Sequence, residues 1–235
     1  MKVTVVIPAR FKSTRLPGKP LAIIGDKPMI QHTWERACKS NADEVIIATD
    51  NYLVYETALG FGAKVKLTME CETGTERVIQ VSKLIDSDII INVQGDEPFI
   101  NPLDIDLVIE LVKSNPNCVA TLRTDLIENE STDPNAVKIL TNGDVAVMFT
   151  RSNVYHQIDS IYKHIGIYGY SVETLNKISK LTPTQNSINN SLEQLTWMDN
   201  GIQIVSEFTE YKSFGIDTQE DLERANKIIN YFRCV

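Results

Sequence analysis

Residues 3–8, Val-Thr-Val-Val-Ile-Pro, form a short apolar run closed by Pro8, which predicts a buried strand at the start of the fold. A buried parallel strand there makes the segment after it the mouth of an open α/β sheet, where ligands bind. That segment reads Ala9-Arg-Phe-Lys-Ser-Thr-Arg-Leu-Pro-Gly-Lys-Pro20 and sets Arg10, Lys12, Arg15 and Lys19 among Ser13, Thr14 and Gly18. Such a loop suits a polyphosphate: glycine lets the backbone approach, amides and hydroxyls donate hydrogen bonds, and the cations offset anionic charge. It is not a Walker loop, because no glycine precedes it and Lys19 is followed by Pro20 rather than Ser or Thr. It also lacks the spaced glycines of a dinucleotide fingerprint.

The chain's charge sharpens this. Over 235 residues the net charge is −8, which argues against a nucleic-acid partner, since phosphate contacts demand clustered Lys and Arg. The first 27 residues run the other way, with Lys2, Arg10, Lys12, Arg15, Lys19 and Lys27 against Asp26 alone. A basic mouth on an acidic protein implies a small polyanion. Cys38, Cys71, Cys118 and Cys234 form no Cys-x-x-Cys, and His32, His156 and His164 lack metal-ligand spacing. Pro8 and Arg10 interrupt the apolar start, against a secretory leader, and no apolar run approaches the ~20 residues of a membrane span. The expectation is a reduced, cytoplasmic protein with no membrane partner.

Strands and helices alternate through the first half, implying a parallel sheet with crossover helices. Helices are expected at Met29–Ser40, Tyr52–Phe61, Thr75–Ile85 and Leu103–Ser114, and strands at Glu44–Ala48, Lys64–Thr68, Asp88–Val93 and Val119–Leu122. From about Glu128 the pattern changes. Val137–Leu140 and Val145–Thr150 flank Asn142-Gly143, the signal of a β-hairpin. A strand at His164–Tyr170, helices at Glu173–Leu181 and Ser191–Asn200, a strand at Ile202–Phe208 and a closing helix at Gln219–Phe232 follow. Residues 1–128 with 210–235 read as a nucleotide-binding core, and 129–209 as an inserted α+β substrate subdomain. Pro183–Asn190, rich in Asn, Gln, Ser and Thr, is expected to be a mobile loop.

Parallel strands bring four strand ends together: Pro8–Lys19, Ala48-Thr49-Asp50, Thr73–Arg77 and Gln94–Asp96. Asp96, directly after a buried strand, is placed to hold a divalent ion against the phosphates of a nucleotide, although Gly95-Asp96 also reads as a plain turn. Asp217 is a second candidate, but Asp217 or Thr218 could equally cap the final helix, with Glu220 and Asp221 in its first turn.

These residues belong to a recognisable set. Ile7-Pro-Ala-Arg10, Ser13-Thr-Arg-Leu-Pro-Gly-Lys-Pro-Leu21, Lys27-Pro-Met-Ile30, Ala48-Thr-Asp50, Gly74-Thr-Glu-Arg77 and Asn92-Val-Gln-Gly-Asp-Glu-Pro98 come first. Pro134-Asn-Ala-Val-Lys138, His164-Ile-Gly-Ile-Tyr168, Leu192-Glu-Gln-Leu195 and Ile216-Asp-Thr-Gln-Glu-Asp-Leu222 follow. In this order, from one end of the chain to the other, they resemble the 3-deoxy-manno-octulosonate (Kdo) cytidylyltransferases, also called CMP-Kdo synthetases. The resemblance implies a Rossmann-like, mostly parallel sheet of the nucleotide-diphospho-sugar transferase type. It implies transfer of CMP from CTP to the anomeric hydroxyl of an eight-carbon acid sugar with release of pyrophosphate, a Mg²⁺ requirement, a homodimer with dimerisation through the 129–209 subdomain, and a place in lipopolysaccharide biosynthesis.

By the same resemblance, Ala9, Arg10, Ser13, Arg15 and Lys19 hold the triphosphate, while Thr73, Gly74, Arg77 and Gln94 surround the cytidine. Asp96 and Asp217 match the metal-binding aspartates, and with Arg10 and Lys19 they form the expected catalytic set. Arg151, His164, Glu193 and Gln194 match positions lining the sugar site. Read alone, His164 would be a satisfied core histidine and Glu193 an ordinary helix-surface residue. Departures cluster in the sugar half. Thr196 stands where an arginine is usual, Pro183–Asn190 carries no charge, and Val154-Tyr-His-Gln157 replaces a longer charged stretch. They leave room for a different acid sugar, an 8-amino-Kdo or a sialic-acid-like compound, and more distantly for a non-catalytic nucleotide-binding homologue.

Overall fold

The structure, a computed structural model, describes residues 1–154 and 159–233. His156, Cys234 and the 155–157 part of the abbreviated stretch lie outside the described residues. The first half runs β1 (Val3–Ala9), β2 (Ile23–Ile24), β3 (Lys27–Pro28), α1 (Met29–Ala37), β4 (Glu44–Thr49), α2 (Tyr52–Gly60), β5 (Lys64–Leu67), α3 (Gly74–Ser82), β6 (Ile89–Val93), α4 (Pro102–Ser114) and β7 (Val119–Thr124). There follow α5 (Glu128–Ser131), β8 (Lys138–Asn142), β9 (Val145–Thr150), β10 (Ile161–Ser171), α6 (Val172–Ile178), α7 (Gln185–Asn190), α8 (Glu193–Asp199), β11 (Ile204–Phe208) and α9 (Gln219–Arg233).

Among the described residues, nine strands form one sheet in the order β5-β4-β1-β6-β10-β7-β11-β9-β8. β1 runs parallel to β4 and β6, β4 to β5, and β7 to β11, as an α/β fold requires. β10 is inserted antiparallel between β6 and β7, so the sheet is mixed and the 129–209 stretch adds strands to the same sheet. All seven residues of β1 are buried, because helices cover both faces. Val5 and Ile7 join Ile30, Val54, Val108 and Val112 on one side, and Val6 joins Val78, Val81, Leu175 and Trp197 on the other. No helix among the described residues is long and apolar enough to cross a membrane.

Two expectations need correction. The hairpin pairs Asn142 with Val145, so its turn residues are Gly143 and Asp144, one position later than expected. Pro183–Asn190 is no irregular loop: Thr184 accepts a hydrogen bond from the Ser187 N–H and starts α7. Buried Ser187 then anchors that helix through its hydroxyl, 2.7 Å from Thr196 Oγ1. Polar composition hid a capped helix whose few buried contacts are hydrogen bonds.

Candidate active site

The carboxyl ends of β1 and β6 meet closely. A Cβ on Gly95 would lie 2.8 Å from the Pro8 carbonyl oxygen, so only glycine lets the Gln94–Asp96 loop sit against the β1 loop. Within the β1 loop, Gly18 takes a left-handed φ of 68° and opens a short 3₁₀ turn at Lys19–Leu21. Buried Leu16 anchors the loop against Met29, Ile216 and Ala225. The third arm, residues 214–217, joins through the Ile216 N–H donating to the Asp96 carbonyl at 2.9 Å. Phe99 stacks on Phe214 at 4.9 Å, holding the two aspartate-bearing loops together.

Lys19 Nζ stands 2.5 Å from Asp96 Oδ2 and 2.8 Å from Asp217 Oδ1. Arg15 Nη2 reaches the same Asp217 oxygen at 3.1 Å. Burial opposes the Lys19 charge, but Asp96 and Asp217 outweigh it and hold its pKa above the ordinary lysine value. Burial likewise disfavours the Asp217 charge; Lys19, Arg15 and Arg10 overcome it and depress that pKa. Asp217 does not cap α9. Thr218 does, its hydroxyl accepting from the Asp221 N–H while Asp221 accepts from the Thr218 N–H. Asp217 is thereby left to the cations.

These groups line one cleft of about 590 Å³. Of the residues singled out from sequence, Ala9, Arg10, Arg15, Lys19, Thr73, Gly74, Arg77, Gln94, Asp96, Asp217 and Glu193 all face it. Arg77 does so as a strut. Only 2% exposed, its guanidinium bonds Asp50 Oδ2 at 2.8 Å and the Thr68 hydroxyl, tying α3 to the ends of β4 and β5. The wall opposite the basic loop is built by Pro183, Ser187, Ile188, Ser191, Leu192, Glu193 and Thr196. Burial raises the Glu193 pKa, opposed by hydrogen bonds from Thr75 and Thr73.

Four expected site residues lie outside the cleft lining. Ser13 turns inward, its hydroxyl accepting from the Leu16 N–H at 3.3 Å. Arg151 donates to the carbonyls of Pro134 and Asn135 at 3.0 and 3.4 Å. Gln194 is buried in α8. His164 is buried between Phe149 and Tyr168, with Nε2 2.9 Å from Thr121 Oγ1; burial, with Arg151 nearby, pushes its pKa down to about 3. It is a neutral core imidazole behind the wall. Lys12, from the same basic loop, pairs instead with Glu70 at 2.7 Å.

Sequence reasoning missed Glu97, whose buried carboxyl beside Asp96 is pushed up to about 8, first by burial and then by the Asp96 charge. It also missed the buried Asn92 and Thr75 behind the cleft. Asn92 carried a signal, as the lone amide in the otherwise apolar Ile-Ile-Ile-Asn-Val strand.

A cytidylyltransferase family profile matches residues 4–231. A 3-deoxy-manno-octulosonate cytidylyltransferase of Thermodesulfovibrio yellowstonii is 42% identical, over 99% of this chain and 100% of its own length. That of Haemophilus influenzae is also 42% identical, over 97% and 99%. Among solved structures, a CMP:2-keto-3-deoxy-manno-octonic acid synthetase complexed with CTP superposes with a TM-score of 0.92 at 37% identity, covering 98% of this chain and 99% of that one. A putative glucose-1-phosphate thymidylyltransferase of Bacillus anthracis, at 18% identity and a TM-score of 0.71, shares the fold. With relatives this similar from end to end, and a cleft whose basic loop and paired aspartates fall where its own motifs put them, the chain belongs to the 3-deoxy-manno-octulosonate cytidylyltransferase family of nucleotidyltransferases.

Proposed function

We propose that this protein transfers CMP from CTP to the anomeric hydroxyl of 3-deoxy-manno-octulosonate and releases pyrophosphate, the activity its relatives' names carry. The observation behind it is the shared ammonium: Lys19 Nζ bonded to both Asp96 and Asp217 under a basic loop, in a cleft with a polar opposite wall. The triphosphate lies along Arg10, Arg15 and Lys19 and the acid sugar against Glu193. Gln94, expected from sequence beside the cytidine, is assigned to the sugar instead because its amide is tied to Glu193 through Asn92 and Thr75. The sugar hydroxyl attacks the α-phosphorus in line, a new P–O bond forms as the hydroxyl proton passes to water, and the bond to pyrophosphate breaks. Arg10, Arg15 and Lys19 offset the phosphate charge, and no residue is covalently modified.

Asp96 and Asp217 fit a magnesium ion. An ammonium already bridges them, so the pair accepts a cation at that point. Two carboxylates suit Mg²⁺, which is commonly held by one or two carboxylates plus substrate phosphates. When bound, Mg²⁺ neutralises phosphate charge and lowers the pKa of a coordinated hydroxyl. The same reading carries a cytoplasmic homodimer serving lipopolysaccharide biosynthesis; light scattering in solution tests the dimer. Pyrophosphate release is the decisive assay. It should require CTP, the acid sugar and Mg²⁺ together, with UTP at least about tenfold poorer. No release with CTP and 3-deoxy-manno-octulosonate rejects the reading.

A further inference from the structure

Behind the cleft, a hydrogen-bond chain joins the two walls and runs in one direction. Gln94 donates from Nε2 to Asn92 Oδ1 at 2.9 Å, and Asn92 donates from Nδ2 to Thr75 Oγ1 at 3.4 Å. Thr75 donates from Oγ1 to Glu193 Oε1 at 2.8 Å. The end members Gln94 and Glu193 line the cleft; the middle members do not, with Asn92 0% and Thr75 3% exposed.

The direction follows from chemistry. The Thr75 hydroxyl carries one proton and gives it to Glu193 Oε1. Any further partner of the Thr75 oxygen must donate, which turns the Asn92 amide nitrogen toward Thr75 and its Oδ1 toward Gln94. Gln94 must then offer Nε2, leaving Oε1 as the atom available to accept from a ligand. Gly74 makes room for this amide: a Cβ there would stand 3.0 Å from both Gln94 Nε2 and Oε1. The two ends thus present acceptors to the same cleft that the cations line.

We propose that Thr75 and Asn92 are positioning residues for the acid sugar, fixing Gln94 and Glu193 as paired acceptors for its hydroxyl groups. The proposal rests on the reading that the sugar lies between those two residues. Thr75→Val keeps the shape and removes the donor; it should raise the KM for 3-deoxy-manno-octulosonate about tenfold, the scale of one lost hydrogen bond to a charged group. The Kd for CTP, measured by calorimetry without sugar, should stay within twofold, and Thr75→Ser should restore the sugar KM. An unchanged sugar KM, an equal loss of CTP affinity, or a Thr75→Ser protein as impaired as Thr75→Val overturns the proposal. If Thr75→Val does not fold, Thr75→Cys, which replaces the hydroxyl with a weak thiol donor, must show the raised sugar KM; a wild-type value overturns it. Glu193→Gln separates the two ideas. A raised sugar KM there with a normal one in Thr75→Val rejects the relay alone, whereas a normal KM in Glu193→Gln rejects the sugar placement and the relay with it.

Discussion

The two walls of the cleft are built on different physics. The charged side of the cleft, formed by the β1 loop, Asp96, Asp217 and Arg77 of α3, is cross-paired: Lys19 bridges both carboxylates, Arg15 joins Asp217, and Arg77 is locked to Asp50. The opposite wall, from Pro183 to Thr196, presents hydroxyls and apolar groups, with Glu193 as its one ionisable side chain facing the cleft. Charge fixes the first wall, and helix packing fixes the second through the Ser187–Thr196 bond. An incoming triphosphate can exchange with the first wall's internal ion pairs, so charge governs recognition there. The second wall offers only short-range contacts, so shape and donor–acceptor polarity govern there. Substitutions should separate accordingly.

The largest separation is expected at Asp96. Asp96→Asn removes a carboxylate without changing shape, and turnover should fall about 10³-fold, roughly 4 kcal/mol of transition-state stabilisation. The melting temperature should stay within a few degrees, as only one of the two Lys19 partners is lost. Turnover within tenfold of wild type would show that the charged wall is architectural only. Next is Asp50→Asn, which leaves the buried Arg77 guanidinium without its counter-charge. Urea unfolding should report a loss of about 3 kcal/mol. An unchanged midpoint would mean that charge does not hold this wall together.

The same contrast decides what the sequence could reveal. The cationic loop and Asp96 announce themselves because residues just after buried strands must converge at one edge of the sheet. Their chemistry is local and their placement follows from strand order. Asp217 was ambiguous from spacing alone, since capping and cation binding use the same residue type; the Thr218–Asp221 box resolves it. The neutral wall gives no such signal. Residues 183–190 hold turn-forming side chains, and tertiary hydrogen bonds to α8, from Thr196 to Ser187 and from Thr184 and Asn186 to Asp199, make the helix worth forming. His164 shows the two kinds of signal apart: the residues alone read as a satisfied core histidine, which its burial between Phe149 and Tyr168 matches, while its sugar-site role comes only from the family resemblance.

His164 gives the third test, because it backs the neutral wall through Tyr168, whose ring meets Trp197 of α8 at 5.0 Å. Its folded pKa of about 3 lies below the ordinary 6.5, so between those values the unfolded chain binds a proton that the folded chain does not. His164 therefore contributes stability that is present above pH 6.5 and lost as the pH falls toward 3, at up to ~1.4 kcal/mol per unit. Unfolding free energies of wild type and His164→Asn, compared from pH 6.5 down to 4.5, should converge with that slope. A constant difference would mean that the imidazole is not held neutral.

The smallest effect is also the most direct test of whether the walls act separately. The Thr196 hydroxyl donates to Ser187 Oγ at 2.7 Å and accepts from the Thr184 N–H at 3.3 Å, joining the start of α7 to α8. Thr196→Val keeps the volume and removes both bonds. Ser187 still donates to the Thr184 carbonyl at 2.9 Å, so its own proton stays satisfied and the cost should be about 1 kcal/mol. Because Thr196 lies on the neutral wall, the Kd for CTP should not move, whereas the KM for the acid sugar should rise about threefold as α7 loosens. If both constants shift together, α7 and the basic loop respond as one body, and a substitution confined to the uncharged side would reach the triphosphate as readily as one made among the ion pairs.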